Sequence, residues 1–265
     1  MKNMRSCGRL VVVLTVLVVM LAACGTDDPP AAPTGVLIVE QGPLSGPPSL
    51  VSISLDGAGP SILASESVGA AAGRWAPDSR RLLWTQHSAD GGAAITVGEP
   101  DGTASSVVAT VGAGDTATWA PDCRHIAFSL RDDTAGARAL HLLALDMDGS
   151  VPIGTDVDGA TPDWSPVSDR IVFAGDRGGD TDIVVLDLAD GSERQLTDNT
   201  VGDTGPRWSP AGDHIAWASR VNERKQIFVM GADGSEKVQL TLGMTGGEHP
   251  VWSPDGDWIA YQQAG

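Results

Sequence analysis

Five stretches of this chain align without a gap: "RWAPDSRRLLW" from Arg74, "TWAPDCRHIAF" from Thr118, "DWSPVSDRIVF" from Asp163, "RWSPAGDHIAW" from Arg207 and "VWSPDGDWIAY" from Val251. Their tryptophans, Trp75, Trp119, Trp164, Trp208 and Trp252, are spaced 44, 45, 44 and 44 residues apart. Seven residues after each comes Leu82, Ile126, Ile171, Ile215 or Ile259, and nine after comes Trp84, Phe128, Phe173, Trp217 or Tyr261. The tryptophan column and the last column together hold ten of the chain's twelve Phe, Trp and Tyr residues. A period held this closely means that one supersecondary unit recurs, and it excludes folds without internal repetition.

The unit is legible within each copy. Trp closes a short strand, and Ser/Ala-Pro-Asp-Gly makes a tight turn in which Pro presets φ and Asp and Gly tolerate the positions after it. Cys123 stands where other copies have Gly or Ser, so it reads as a turn residue. The next strand is apolar on both faces, as expected of a strand covered on both sides by other sheets. Between phrases, "AAITVGEPDGT", "LHLLALDMDGS", "DIVVLDLADGS" and "QIFVMGADGSE" run as β-rich segments into Asp-Gly, a hairpin signal. A short strand such as "RQLT" (194–197) or "VQLT" (238–241) follows. Four antiparallel strands per repeat, with no helical period, predict an all-β chain: a β-propeller of four-stranded antiparallel blades. A β-sandwich has no reason to keep a fixed 44-residue period.

The pattern W-S-P-D-G…I-A-F…I-x-V-x-D-x-x-G…L-T resembles the TolB-like propeller repeat, a WD-like family, and the resemblance covers most of residues 35–265. Related propellers have six blades, which sets the expected count here. "GVLIVEQ", "SLVSISLDG" and "SILAS" supply three strands without a W-S-P strand, and the last copy ends after "WIAYQ". The sixth blade is thus expected to be incomplete or closed by the N-terminal strands; five blades are the alternative. TolB places an α/β domain ahead of its propeller, where this chain offers only a short Pro-rich stretch, so partner binding by that domain does not carry over.

Residues 1–23 read as a signal peptide. Lys2, Arg5 and Arg9 precede an apolar run from Leu10 to Ala23, which is short for a membrane span. Leu21-Ala22-Ala23-Cys24 resembles the lipobox of bacterial lipoproteins, which implies cleavage before Cys24 and its acylation. Residues 24–34, the lipidated Cys and "GTDDPPAAPT", read as a tether reaching roughly 30 Å. The body, 35–265, then holds one thiol, Cys123, and no disulfide is available to it. Loss of residues 1–23 takes the net charge from −17 to about −20, a field that repels nucleic acid and anionic headgroups. Membrane attachment is therefore expected through the lipid alone, on the extracytoplasmic side of the cell envelope.

Motifs for serine hydrolase, zincin and dithiol chemistry (G-x-S-x-G, S-x-x-K, H-E-x-x-H, C-x-x-C) do not occur. Asp146, Asp148 and Asp190 sit in Asp-Gly loops, but at the hairpin position of each repeat and without a closing Glu, so they read as turns and not calcium ligands. His125 and His214 share a column at the start of a strand, whereas His249 falls in "GGEHPVW", ahead of the last Trp. Loops leading into the Trp strands converge at one mouth of a propeller channel. His249, Glu248, Asp203, Asp158 and Asp115 are therefore the candidate channel-mouth ligand site, able to meet a cation or a basic peptide. "SRVNERKQ" (219–226), with Arg220, Arg224 and Lys225, is a second charged feature and reads as a solvated cluster.

The reading is a monomeric, lipid-anchored, non-enzymatic scaffold for a protein or peptide partner, with no cofactor assigned. The alternative is a metal-dependent enzyme or small-ligand binder at the channel mouth around His249; lyases built on this repeat use a His-ligated metal there. No metal-ligand set is assigned.

Overall fold

The computed structural model describes residues 36–41, 49–54, 60–64, 70–87, 92–102, 104–112, 115–131, 138–147, 149–155, 161–242 and 246–264. The expected signal peptide, Cys24, the tether and Asp158 lie outside them. Every regular element among the described residues is a β-strand. The first sheet has three strands, β1 (Val36–Gln41), β2 (Ser49–Ser54) and β3 (Pro60–Ala64). Four complete antiparallel sheets follow. The first is β4 (Ala70–Trp75), β5 (Leu82–His87), β6 (Gly92–Gly98) and β7 (Ser105–Gly112). Next come β8 (Ala117–Trp119), β9 (His125–Arg131), β10 (Arg138–Ala144) and β11 (Val151–Thr155). The third is β12 (Asp163–Trp164), β13 (Arg170–Asp176), β14 (Thr181–Asp187) and β15 (Glu193–Gln195). The fourth is β16 (Asp203–Trp208), β17 (His214–Val221), β18 (Arg224–Gly231) and β19 (Val238–Gln239). A two-stranded sheet, β20 (Gly246–Trp252) and β21 (Ile259–Ala264), ends the chain.

Each complete sheet is one blade, with its strands paired in chain order. The Trp strands β4, β8, β12, β16 and β20 are neighbours from one sheet to the next, as inner strands around an axis must be. The three- and two-stranded sheets at the chain ends are separate sheets among the described residues, each paired within itself.

The repeated phrase makes the same turn five times. Backbone N–H groups of Ala76, Ala120, Ser165, Ser209 and Ser253 donate to the carbonyls of Arg81, His125, Arg170, His214 and Trp258 at 2.8–2.9 Å. In four copies the residue after the Asp position takes a left-handed φ: Ser79 and Cys123 at 58°, Gly212 at 69° and Gly256 at 77°. Cys123 is thus a turn residue, in a conformation that glycine tolerates best.

Adjacent blades are joined by packing. In β9, Ile126 and Phe128 belong to the core shared with the β4–β7 blade, while Ala127 between them belongs to the core shared with β12–β15. In β13, Ile171 and Phe173 face the β8–β11 blade, and Val172 and Ala174 face β16–β19. This alternation is the strand period of two, and it explains why both faces are apolar. Each fully buried Ile, Leu or Phe side chain contributes about 1.5–3 kcal/mol relative to exposure, so these columns hold the ring together. The last copy departs from the pattern: Tyr261 is 46% exposed, where Trp84, Phe128, Phe173 and Trp217 are 0–2% exposed.

Candidate functional site at the channel

The residue before each repeated Trp lies on an inner strand, and its chemistry decides where it goes. Thr118 and Asp163 carry short acceptors. Thr118 Oγ1 accepts from the Trp164 backbone N–H at 3.2 Å, and Asp163 Oδ2 from the Trp208 N–H at 2.8 Å. Each side chain thus ties its blade to the next. Arg74 and Arg207 are donors only and cannot make this bond. In their blades the acceptor is the backbone instead: the Trp119 indole donates to the Arg74 carbonyl at 3.3 Å, and the Trp252 indole to the Arg207 carbonyl at 3.1 Å. Neither guanidinium takes part in that link.

Arg74 meets Asp163. Arg74 Nη1 lies 2.6 Å from Asp163 Oδ1, with the two side chains 21% and 13% exposed. These residues belong to blades two steps apart, so the pair spans the ring above the intervening Thr118 blade. Arg207 feels the same carboxylate and also the Arg74 charge. Burial, then repulsion by Arg74, lowers its pKa to about 9 against the attraction of Asp163, which still leaves it protonated at neutral pH.

A bulge recurs just before the Trp in β4, β16 and β20, where the register shifts between Ala71 and Arg74, Thr204 and Arg207, and Glu248 and Val251. A bulge re-aims side chains at the edge of a ladder. In β16 the bulged residue three before Trp is Gly205, with φ 64°; in β20 the same place is held by His249, with φ 54°. A non-glycine residue there carries backbone strain of order 1–3 kcal/mol. Glu248 beside it accepts from Lys225 Nζ of β18 at 2.9 Å, and that bond lowers the Glu248 pKa. Although His249 is exposed as a residue, the surrounding strands desolvate its ring and lower its pKa. Glu248 opposes that shift, while Arg207 and Lys225 add to it, so the imidazole is neutral at physiological pH. Arg74, Asp163, Arg207, His249, Glu248 and Lys225 thereby form one electrostatically linked group.

The model for the TolB β-propeller domain matches residues 154–265. TolB from Acinetobacter baumannii superposes with a TM-score of 0.72 at 18% identity, over 84% of this chain and 56% of that one. The fold is a β-propeller, similar to that of TolB. The chain therefore spans little more than half the length of that TolB. A putative TolB from Agrobacterium tumefaciens superposes at 0.65 with 24% identity, covering 77% of this chain and 73% of its own. Oligogalacturonate lyase from Vibrio parahaemolyticus does so at 0.60 with 16% identity, covering 84% and 66%. No curated protein sequence matches the chain.

The propeller distributes the sequence candidates unevenly. His249 and Glu248 adjoin in β20, next to Lys225 of the preceding blade. Asp115 and Asp203 are buried within their own blades. Asp115 accepts from Ser129 Oγ at 2.9 Å and Gly112 N–H at 2.8 Å, and lies 3.2 Å from Arg138 Nε. Asp203 accepts from Asn199 Nδ2 at 2.8 Å, and burial raises its pKa against the polar groups around it. Among the described residues, no three His, Cys, Asp or Glu side chains are grouped so as to hold a metal ion. His125 and His214 begin β9 and β17 and pair with Asp122 and Asp213 at 2.5 and 2.9 Å. Asp190 and Asp233 accept from the backbone of Ser192 and Ser235 at 2.9 and 3.0 Å, which makes these loops turns. In "SRVNERKQ", Asn222 and Glu223 form a tight hairpin turn with φ of 48° and 66°, and Lys225 leaves the cluster to reach Glu248. Sequence reasoning passed over Arg74, Asp163 and Arg207 as site residues, although all three open the aligned phrases.

Proposed function

We propose that the protein is a lipid-anchored, extracytoplasmic propeller that acts as a non-enzymatic binding scaffold in the cell envelope, held through acylated Cys24 on the 24–34 tether. Its partner is a protein or peptide that docks at the channel mouth. The observation that carries this reading is the linked group at the axis. Six polar side chains from three blades and the last sheet are brought together, five of them on inner strands, and they are positioned by backbone contacts and one another. Rigid strands presenting preset charges are what a recognition face requires. The metal-dependent or catalytic alternative draws on one specific feature, the strained backbone of His249 with its neutral imidazole. It also draws on the likeness to a lyase, one relative of which was solved in complex with manganese.

Cross-linking in intact cells of the source organism, followed by mass spectrometry of the purified protein, tests the reading. A protein partner cross-linked to β20 or β16, and release of the protein from membranes by Cys24→Ala, are the expected results. A metal or small molecule that copurifies and is lost on His249→Ala, with no cross-linked partner, would replace the scaffold reading by the alternative.

A further inference from the structure

The balance of charge and hydrogen-bond capacity at the axis carries one step more. Asp163 is the only carboxylate near the two guanidiniums that is not otherwise paired among the described residues, because Glu248 is held by Lys225. Both Asp163 oxygens are occupied, Oδ1 by Arg74 and Oδ2 by the Trp208 N–H. Arg207 carries five N–H donors in a planar fork. Among the described residues its one hydrogen bond runs from Nη1 to the neighbouring carbonyl of Pro206, at 2.8 Å. The group thus holds Arg74, Arg207 and Lys225 against Asp163 and Glu248, a surplus of one positive charge inside a protein of net charge −17. Arg207 is half-buried, so its remaining donors are open to an incoming acceptor, and an anion meets them with charge-assisted bonds.

We propose that Arg207, supported by Arg74, is a receptor for an oxyanion, the carboxylate or phosphate group of the ligand that enters the channel. The guanidinium fork matches both groups in a two-point geometry that a lysine cannot supply. Asp163 orients Arg74 and competes with the incoming anion for both arginines. The neutral His249 ring lies close enough to Arg207 to be influenced by its charge and adds a polar edge without adding charge. The acidic body repels free anions, so this group gives selectivity for an anionic group displayed on a larger ligand and does not speed capture of free anions. The inference deepens the scaffold reading by naming the chemistry its ligand displays.

The test uses the purified protein, with citrate and inorganic phosphate as separate probes, in calorimetric titration at low salt. Saturable binding of at least one probe is expected. Citrate alone identifies a carboxylate-bearing ligand, and phosphate alone a phosphoryl group. Arg207→Gln is expected to weaken binding about ten-fold or more, as loss of a charge-assisted bidentate contact does. Asp163→Asn, which removes the competing carboxylate, is expected to strengthen it several-fold. A purely structural role for these residues would not produce that gain. In case Arg207→Gln does not fold, the side-chain N–H resonances of the arginines in the unsubstituted protein are followed by NMR during each titration. Silence of both probes, or shifts confined to other arginines, overturns the proposal. So does binding unchanged by Arg207→Gln. None of these outcomes touches the cross-linking result, so the anion receptor and the scaffold can fail separately.

Discussion

Replacing Asp163 separates two jobs that one carboxylate performs. The side chain is 13% exposed and holds Arg74, at 21%, across the ring, while its other oxygen accepts the Trp208 N–H. Breaking a fully buried ion pair costs about 3–5 kcal/mol, whereas exposed pairs are worth about 0–1 kcal/mol. This mostly buried pair falls between them, so Asp163→Asn, which keeps an acceptor for Trp208, is expected to destabilise by about 2 kcal/mol. Asp163→Ala also leaves the N–H of buried Trp208 without a partner, which adds about 1–2 kcal/mol. The two variants are thus expected to form a series, with Ala worse than Asn by that second amount. Urea unfolding followed by tryptophan fluorescence measures it, because the repeated tryptophans sit at the blade interfaces. Slopes equal to that of the unsubstituted protein are needed before midpoints are compared as stabilities. Equal losses for Asn and Ala would show that the backbone link between blades contributes nothing. A loss below about 0.5 kcal/mol for Asn would show that the cross-ring pair behaves as a surface pair. Addition of citrate should recover part of the Asp163→Asn deficit, since a ligand that binds only the native state stabilises it.

Further outcomes follow from the same geometry. Phe173→Ala, at a fully buried position, should cost about 3–5 kcal/mol, while Tyr261→Ala in the same column should cost less than half as much. Equal costs in urea unfolding would mean that the last sheet is as enclosed as the complete blades. His249→Gly should raise stability by roughly 1 kcal/mol through release of the left-handed strain, as Gly205 already does in the preceding blade. A fall in the unfolding midpoint would show that the ring's contacts outweigh the strain. Asp203 has a folded-state pKa raised above its ordinary 3.8, so the native state binds its proton more tightly than the unfolded chain. Its contribution is therefore favourable at low pH and is lost as pH rises from about 3.8 through the folded value. Asp203→Asn should flatten that loss and raise the melting temperature at neutral pH; an unchanged pH profile of thermal unfolding would refute the assignment.

What the sequence disclosed and what it withheld have the same physical origin. The columns of Ile126, Ile171 and Ile215, and of Phe128, Phe173 and Trp217, repeat because each blade must bury the same strand between two neighbours. Packing constraints recur with the repeat, so alignment of the copies exposes them. The chain ends are a different matter, because the terminal strands have no internal copy to be compared with. The six sheets among the described residues leave the ends paired within themselves, and the 44-residue period contains no information on how they meet.

The candidate site inverts this logic. Polar acids ahead of each Trp looked equivalent, yet Asp115 is enclosed by Ser129, Gly112 and Arg138, while Glu248 reaches Lys225 of the preceding blade. Those partners lie on other strands of the blade or on a neighbouring blade, at separations that no local pattern reveals. The informative column was the one directly before Trp: Arg74, Thr118, Asp163, Arg207 and Val251. It varies where its neighbours repeat, since inner-strand positions face a common axis and need not satisfy identical packing. Thr and Asp there can cap the next blade; Arg cannot, and a donor-only side chain with a long stem has the channel as its outlet. In a ring of near-identical units, function is therefore to be sought in the inner-strand column that departs from the repeat. Here that rule singles out the Arg74–Asp163–Arg207 group before any carboxylate on the rim.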